Sequence, residues 1–131
     1  MPASFTLHKD ERLKSRKQIE LLFKQGKSFA FIPFRVYYKI NEEAETNQKA
    51  VAFGVGVSSR NFKKAVDRNR IKRLTREAYR LQKIILTEIV SERKIRLNVF
   101  FIYTGKELPE FAEVKLKVEQ ALKKLVKLLA S

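Results

Sequence analysis

The sequence predicts a small α/β protein, an α+β sandwich in which helices pack against one mixed sheet. Two observations predict this class: amphipathic helical periodicity recurs along the chain, and alternating apolar and polar residues mark strands between the helical segments. With 44% hydrophobic residues, a chain of 131 residues can bury one core. The predicted order is α-β-β-α-(α)-β-α in a single domain over residues 1–131, with residues 1–12 as a flexible lead-in.

The first helix is predicted between Ser15, a residue type that caps helix N-termini, and Gly26, which stands where a C-terminal glycine is common. Ile19, Leu22 and Phe23 fall on one stripe of this helix. We expect a short helix with that stripe turned toward apolar neighbours.

The first strand is predicted over residues 31–40, where an apolar face alternates with a mixed face. Phe34 belongs to the apolar face, and Tyr37 lies between Arg35 and Lys39 on the mixed face. An aromatic ring flanked by two cations is suited to stacking on a base while its neighbours contact phosphates.

The second strand is predicted over residues 49–57, KAVAFGVGV. Valine and phenylalanine occupy one face of this segment. The other face carries Ala52, Gly54 and Gly56, which are small enough to let another backbone approach closely.

The second half of the chain predicts two or three helices and one strand. Helical periodicity covers residues 61–90, with one break expected near residues 86–91. Residues 96–105, RLNVFFIYTG, are apolar enough on both faces for a central strand. Pro109 suits the first position of a last helix. The apolar stripe of that helix is Phe111, Val114, Val118, Leu122, Leu125 and Leu129.

The segment AVDRNRIKRLTREAYR, residues 65–80, predicts a helix with one cationic face. At about 100° per residue, one apolar arc of about 80° and a separate basic arc of about 140° result. From Arg60 to Lys83 there are ten basic and two acidic residues. Like charges four residues apart repel one another, and a polyanion would relieve that repulsion. The apolar arc contains Ile71, Leu74, Ala78, Leu81 and Ile85.

The overall charge favours a nucleic-acid partner. The chain has 29 Lys and Arg against 14 Asp and Glu, a formal net charge of +15. Arginine predominates in the basic helix, and its planar guanidinium suits bidentate contacts with phosphate. A purely solvated face is disfavoured because acidic residues are not mixed into it. A membrane-surface helix is disfavoured because its apolar side lacks bulky anchors.

The composition also excludes several chemistries. No cysteine is present and His8 is the one histidine, so we expect no metal site and no histidine-type nuclease. No group of residues has the pattern of a catalytic site. Asp67 is best explained by the favourable interaction of its negative charge with the first turn of its helix. No apolar run approaches the roughly 20 residues that span a bilayer. Residues 1–14 lack a signal-peptide pattern, so we expect a cytoplasmic protein without membrane binding.

The sequence resembles the protein subunit of bacterial ribonuclease P. The resemblance is carried by AVDRNRIKRLTREAYR, including Arg68-Asn69-Arg70, together with the upstream stretches RLKSRKQIELLFKQGKSF and FGVGVSSR. It covers most of residues 11–104. It implies a compact α/β sandwich in which the β-α-β crossover is left-handed, against the right-handed rule for such connections.

The resemblance also implies the function. A large RNA subunit would carry magnesium and cleave the 5′ leader from precursor tRNA, while this polypeptide, inactive alone, would bind that RNA and the single-stranded leader. Carried over by position or by basic character, the RNA-binding residues are Arg60, Lys63, Lys64, Arg68, Asn69, Arg70, Lys72, Arg73, Arg76 and Arg80. The leader cleft would use Phe23, Phe34 and Tyr37, with Arg35 and Lys39 beside Tyr37.

Two positions depart from the pattern of that family. Ile19 stands where an aromatic residue is often found, and residues 58–66 are one residue longer, with Phe62 and Lys63 where glycine is common. A structural RNA-binding protein of the ribosomal type is the alternative, because it would share the charge and the α/β composition. A DNA-binding module is disfavoured because strands flank the basic helix.

Overall fold

The computed structural model describes residues 11–41 and 50–130, and within them the chain forms four helices and four strands. The helices are α1 (Arg16–Gln25), α2 (Ala65–Gln82), α3 (Ile84–Glu92) and α4 (Phe111–Ala130). The strands are β1 (Lys27–Phe31), β2 (Phe34–Asn41), β3 (Val51–Val57) and β4 (Arg96–Tyr103). No helix in these two ranges is long and apolar enough to cross a membrane.

The strands form one mixed sheet in the order β1-β2-β4-β3. β4 pairs antiparallel with β2 and parallel with β3, which confirms the prediction of a central strand that is apolar on both faces. β3 and β4 are joined through α2 and α3, so the expected β-α-β unit is present. The left hand of this crossover stays a prediction.

The predicted element order lacked one strand. β1 precedes β2 and pairs with it in an antiparallel hairpin that turns at Ile32 and Pro33. The strand is short and lies at the sheet edge, and Phe29 and Phe31 alternate with exposed residues but are only partly buried against the main core. The observed order is α-β-β-β-α-α-β-α.

The main core lies between one face of the sheet and the helices α2, α3 and α4. The predicted stripe of α4 is confirmed, because all its members from Val114 to Leu129 are buried and Phe111 packs against them. A separate small cluster lies on the opposite face under α1 and consists of Leu13, Leu22 and Ala52. Among the described residues, α1 and Leu13 therefore cover part of that second face.

Helix α1 has the predicted ends. The Ser15 hydroxyl accepts a hydrogen bond from the Gln18 amide, and the Gly26 amide donates to the Leu22 carbonyl at 2.8 Å. A Cβ at Gly26 would come within 2.9 Å of the Tyr38 carbonyl. Glycine is needed here because the chain turns tightly from the helix into β1 against β2.

The basic helix is rotated relative to the prediction. Leu81 and Ile85, expected in the apolar arc, are 38% and 40% exposed, whereas Thr75 and Tyr79 are buried. The helical path breaks at Lys83, earlier than expected, so Ile85 belongs to a different helix from Ile71. The tertiary contact of Tyr79 with the sheet sets the buried side of α2, which the apolar periodicity did not reveal.

The last residues of the predicted lead-in are held against the sheet. Arg12 pairs in parallel with Phe53, and the Leu13 amide donates to the Phe53 carbonyl at 2.8 Å. Glu11 forms a 3.0 Å ion pair with the buried Lys83. Residues 11 and 12 of the predicted lead-in therefore contact the folded domain, whereas residues 1–10 lie outside the described ranges, and the flexibility of the lead-in stays a prediction.

Candidate nucleic-acid interface

The exposed face of α2 is cationic, as the sequence predicted. Asn69, Arg70 and Arg73 are exposed, whereas Arg68, Lys72 and Arg76 are partly buried along the flank of the helix. These residues therefore form two rows, one facing outward and one along the flank of the helix. We call these the outer row (Asn69, Arg70, Arg73) and the flank row (Arg68, Lys72, Arg76).

Two arginines that were predicted to bind RNA, Arg68 and Arg80, already form bonds within the protein. One guanidinium nitrogen of Arg68 donates to the carbonyls of Phe62 and Lys63, at 2.7 and 2.8 Å, and so holds the loop before α2. Arg80 forms a bidentate ion pair with Glu77, and its Nε lies 3.1 Å from the carboxylate. This hydrogen bond lowers the pKa of Glu77 and raises that of Arg80. Arg68 has a structural role besides any RNA contact, and the charge of Arg80 is offset.

In the loop of residues 58–64 the aromatic residue is buried and the basic residues are exposed. Phe62 is 7% exposed and inserts into the main core near Tyr103, with ring centroids 6.0 Å apart. Arg60, Lys63 and Lys64 remain exposed around it. The loop thus keeps its basic surface while its aromatic residue anchors it.

An aromatic cluster lies on the sheet face beside α1. Phe23 is 42% exposed, and its ring meets Tyr37 and Phe100 edge-on, with centroid distances of 4.8 and 5.5 Å. α1 supplies Phe23, β2 supplies Tyr37 and β4 supplies Phe100. We call this surface the aromatic cleft. Exposed ring edges and faces of this kind are suited to stacking on unpaired bases.

Cations flank the aromatic cleft on β2, as predicted. The Arg35 guanidinium carbon lies 5.9 Å from the Tyr37 ring centroid, and Arg35 donates to the Ser28 hydroxyl at 3.0 Å. Lys39 donates to the Gln25 side chain at 2.9 Å. Tyr37 is therefore bracketed by two positive charges on its own strand.

Phe100 forms the floor of the aromatic cleft and was missed by the sequence analysis. Its ring lies over Gly54 and Gly56, where an added Cβ would meet it at 2.6 and 3.0 Å. Gly54 is also the register partner of Phe100 across the parallel pair. The predicted close approach over the small-residue face is thus made chiefly by a ring, although the Leu13 carbonyl lies 3.0 Å from the same Gly54 position.

Phe34 does not belong to the aromatic cleft, contrary to the prediction that it lines the leader cleft. It is 1% exposed on the opposite sheet face and packs edge-on against Phe101 and Tyr103. Strict alternation along β2 separates it from Tyr37, which lies three residues further on. Ile19 is on the cleft side, but it packs against the small cluster under α1.

The described residues contain no group of three or more His, Cys, Asp or Glu side chains that could hold a metal ion. Two of the acids near the basic helix are already paired, Glu77 with Arg80 and Glu11 with Lys83.

Together, the rows on α2 and the aromatic cleft define a nucleic-acid-binding protein of mixed α/β fold. The family model described as Ribonuclease P matches residues 7–126. The chain belongs to that family.

Relatives and solved structures agree with this assignment. The chain is 40% identical over 121 residues to the ribonuclease P protein component of Porphyromonas gingivalis, covering 92% of this chain and 87% of the relative. The structure of the RNase P protein from Thermotoga maritima superimposes with a TM-score of 0.68 at 28% identity, covering 87% of this chain and 96% of that one. The RNase P protein of Staphylococcus aureus shares the fold, with a TM-score of 0.65 at 23% identity and coverage of 88% and 94%.

Proposed function

We propose that this chain is the RNA-binding subunit of ribonuclease P and that it acts in the removal of the 5′ leader from precursor tRNA. The RNA subunit carries the hydrolytic chemistry and the magnesium ions, and the polypeptide is inactive alone. The same proposal places the chain in the cytoplasm, where precursor tRNA is made. Membership of the family supports this division of labour.

The single observation that carries the proposal is that the chain combines an aromatic cleft on one face of the sheet with a cationic helix on the other. Leu13 packs in the cluster under α1, and Glu11 bonds to Lys83 at the end of α2, so residues 11–13 join the two surfaces. A single-stranded leader can stack on Phe23 and Tyr37 while the RNA subunit meets the rows on α2. Stacking and phosphate neutralisation tolerate many sequences, which suits a protein that serves different precursors.

The division between the two surfaces follows from their chemistry. The aromatic cleft offers π-faces and two β2 cations, and these recognise an unpaired strand. The outer row offers arginine forks aimed at solvent, and these recognise closely spaced phosphates of a folded RNA.

Precursor tRNA cleavage at low magnesium tests the proposal, with bacterial ribonuclease P RNA alone, this protein alone, and both together. Cleavage at the mature 5′ end only with both components is expected. Tight RNA binding without any enhancement of cleavage would reject the proposal and favour a structural RNA-binding protein of the ribosomal type.

The cleft is tested by Phe23→Leu in the reconstituted enzyme. Because Phe23 is substantially exposed, the substitution should leave the fold intact and weaken binding of leader-bearing precursor by about 1–3 kcal/mol, the range for loss of one stacked base. Binding of mature tRNA, which has no leader, is the matched control and should not change. Equal losses for both ligands would remove the leader from this cleft.

A further inference from the structure

Among the described residues, two arginines without an acidic partner lie where residues 11–13 meet α2, and the charge of one acts on the other. Among the residues that the structure describes, neither Arg12 nor Arg76 has an ion pair or a side-chain hydrogen bond. Arg12 is exposed and Arg76, in the flank row, is partly buried. A guanidinium carries five N–H donors and accepts no hydrogen bond. The partly buried Arg76 can therefore still bind an acceptor.

The backbone holds Arg12 in this position. Its neighbour Leu13 donates to the Phe53 carbonyl at 2.8 Å, and its other neighbour Glu11 is ion-paired with Lys83 at 3.0 Å. Lys83 follows Arg76 by seven residues, about two helical turns, and therefore lies on nearly the same line of the helix surface. The segment thus reaches α2 at Lys83, and Arg12 is near enough to Arg76 for its charge to act on that side chain.

The electrostatics of Arg76 reflect this arrangement. Burial lowers the pKa of its guanidinium, and the positive charge of Arg12 lowers it further. Both effects disfavour the charged form, so an anion placed between the two arginines would be stabilised by each of them. Lys83 provides an internal contrast, because Glu11 already offsets its charge.

We propose that Arg12 and Arg76 together bind one phosphate group of an RNA strand. The inference rests on the proposed RNA-binding function and adds Arg12 to the interface. A phosphate suits the site because two planar forks can each donate to separate oxygens of the same group. The strand belongs either to the RNA subunit or to the precursor tRNA, since both present the same phosphate chemistry. Leu13, next to Arg12, leads directly into the cluster under α1, so the bound phosphate lies between the flank row and the aromatic cleft.

A double-mutant cycle tests whether the two arginines share one phosphate. Arg12→Gln, Arg76→Gln and the double variant are titrated separately with ribonuclease P RNA and, as the reconstituted enzyme, with precursor tRNA. Each single change should weaken one of these affinities by about tenfold, typical of losing one charge-assisted contact. The double variant should lose little more than either single one, because the first change already breaks the shared site. A loss of about a hundredfold in the double variant, the product of two independent effects, would overturn the proposal.

The salt dependence of RNA binding gives a second measurement, which would not change if Arg12 and Arg76 had only a structural role. The slope of log affinity against log salt should fall by about 0.7 to 0.9, one phosphate's worth, in each single variant and by the same amount in the double variant. Arg12→Lys, which keeps the charge, should retain the wild-type slope. Arg73→Gln, from the outer row, is the matched control, and its effect should multiply with that of Arg12→Gln.

Glu11→Gln separates phosphate binding from simple anchoring of the segment. It removes the ion pair with Lys83 and leaves Arg12 in place. If it reproduced the loss seen for Arg12→Gln without a change of slope, Arg12 would act only through the anchored segment and the proposal would be wrong. The titration in which the loss appears identifies the strand. If neither affinity changed while the wild-type protein still supported precursor cleavage, the inference would fail and the proposed function would stand.

Discussion

The ring of Tyr79 lies parallel to the ring of Phe53, with centroids 4.0 Å apart and planes within 1° of each other. Tyr79 belongs to the cationic helix and Phe53 to the strand at the open edge of the sheet. The Phe53 backbone also pairs with Arg12 and Leu13. One stacked pair therefore connects α2, the sheet and the amino-terminal segment, and it fixes which side of α2 is presented to a ligand.

Replacing Tyr79 by alanine should destabilise the fold strongly. The side chain is almost completely buried, and truncation of a large buried aromatic residue costs about 3–5 kcal/mol. Urea unfolding followed by circular dichroism measures the loss. Leu81→Ala on the same helix is the control and should cost less than about 1 kcal/mol, because Leu81 is exposed. Equal costs would mean that the stack does not anchor α2.

The stability of the protein should fall at alkaline pH because of Tyr79. Burial raises the pKa of its hydroxyl well above the ordinary value of 10.0, and the charge of Glu11 adds to this effect. Below that ordinary value the tyrosine is neutral in both states and the full stability is present. Above it the unfolded chain ionises first, so the free energy of unfolding decreases as pH rises.

Tyr79→Phe isolates this contribution, because it removes the titrating group and keeps the ring. Between about pH 9 and pH 11 the wild-type protein should lose more stability than the variant in parallel urea titrations. Tyr103, whose pKa is also raised by burial, is present in both proteins and cancels in the comparison. Curves that stay parallel across this range would contradict the prediction.

Gly54→Ala should disturb the floor of the aromatic cleft. The new methyl group would lie 2.6 Å from the Phe100 ring and 3.0 Å from the Leu13 carbonyl. Overpacking of this kind costs about 1–3 kcal/mol, which exceeds the gain of about 0.4–1 kcal/mol from reduced chain entropy. Both thermal unfolding and leader-dependent binding should report the change.

Gly56→Ala is the matched control for that experiment. Its methyl group would meet the same ring at 3.0 and 3.2 Å and no carbonyl within that distance, so a small shift of Phe100 can accommodate it. The loss of stability should therefore be smaller than at Gly54. A larger loss at Gly56 would show that the Leu13 carbonyl is not the limiting contact.

The outer row of α2 should account for part of the salt dependence of RNA binding. Arg70→Gln combined with Arg73→Gln should lower the slope of log affinity against log salt by about two phosphates' worth, roughly 1.4 to 1.8. Arg68 is unsuitable for this test because its bonds to Phe62 and Lys63 also hold the preceding loop. An equal loss of charge on α4, Lys123→Gln with Lys127→Gln, controls for net charge. If this α4 variant lowered the slope as much, the effect would not be specific to α2.

The pattern of apolar residues was sufficient for most of the helices and for the central strand. α1 has its predicted capping residues, and α4 buries its predicted stripe, because local periodicity determines which side of a helix can leave water. The position of Tyr37 between two cations follows from strand alternation alone. The basic segment of α2 and its resemblance to the ribonuclease P protein were likewise visible in the linear sequence.

Contacts between residues distant in the chain required the folded structure. β1 escaped prediction because five residues with only two partly buried phenylalanines are too short a pattern to separate from the neighbouring strand. Phe100 became part of the cleft only because β4 pairs with β3 in a register that places its ring over Gly54 and Gly56. Phe34 was assigned to the wrong surface although its alternation indicated the core.

The sequence by itself determined the fold class, the charge of the surface and the family, because composition, periodicity and a local motif are properties of neighbouring residues. Only the tertiary structure decided which cations remain available to a ligand. Lys83 is offset by Glu11, a residue distant from it in the chain, whereas Arg12 and Arg76 have no ion pair among the described residues. The physical reason is that pairing of charges depends on distances across the fold. Here the stacking of α2 on β3 and the docking of residues 11–13 set those distances.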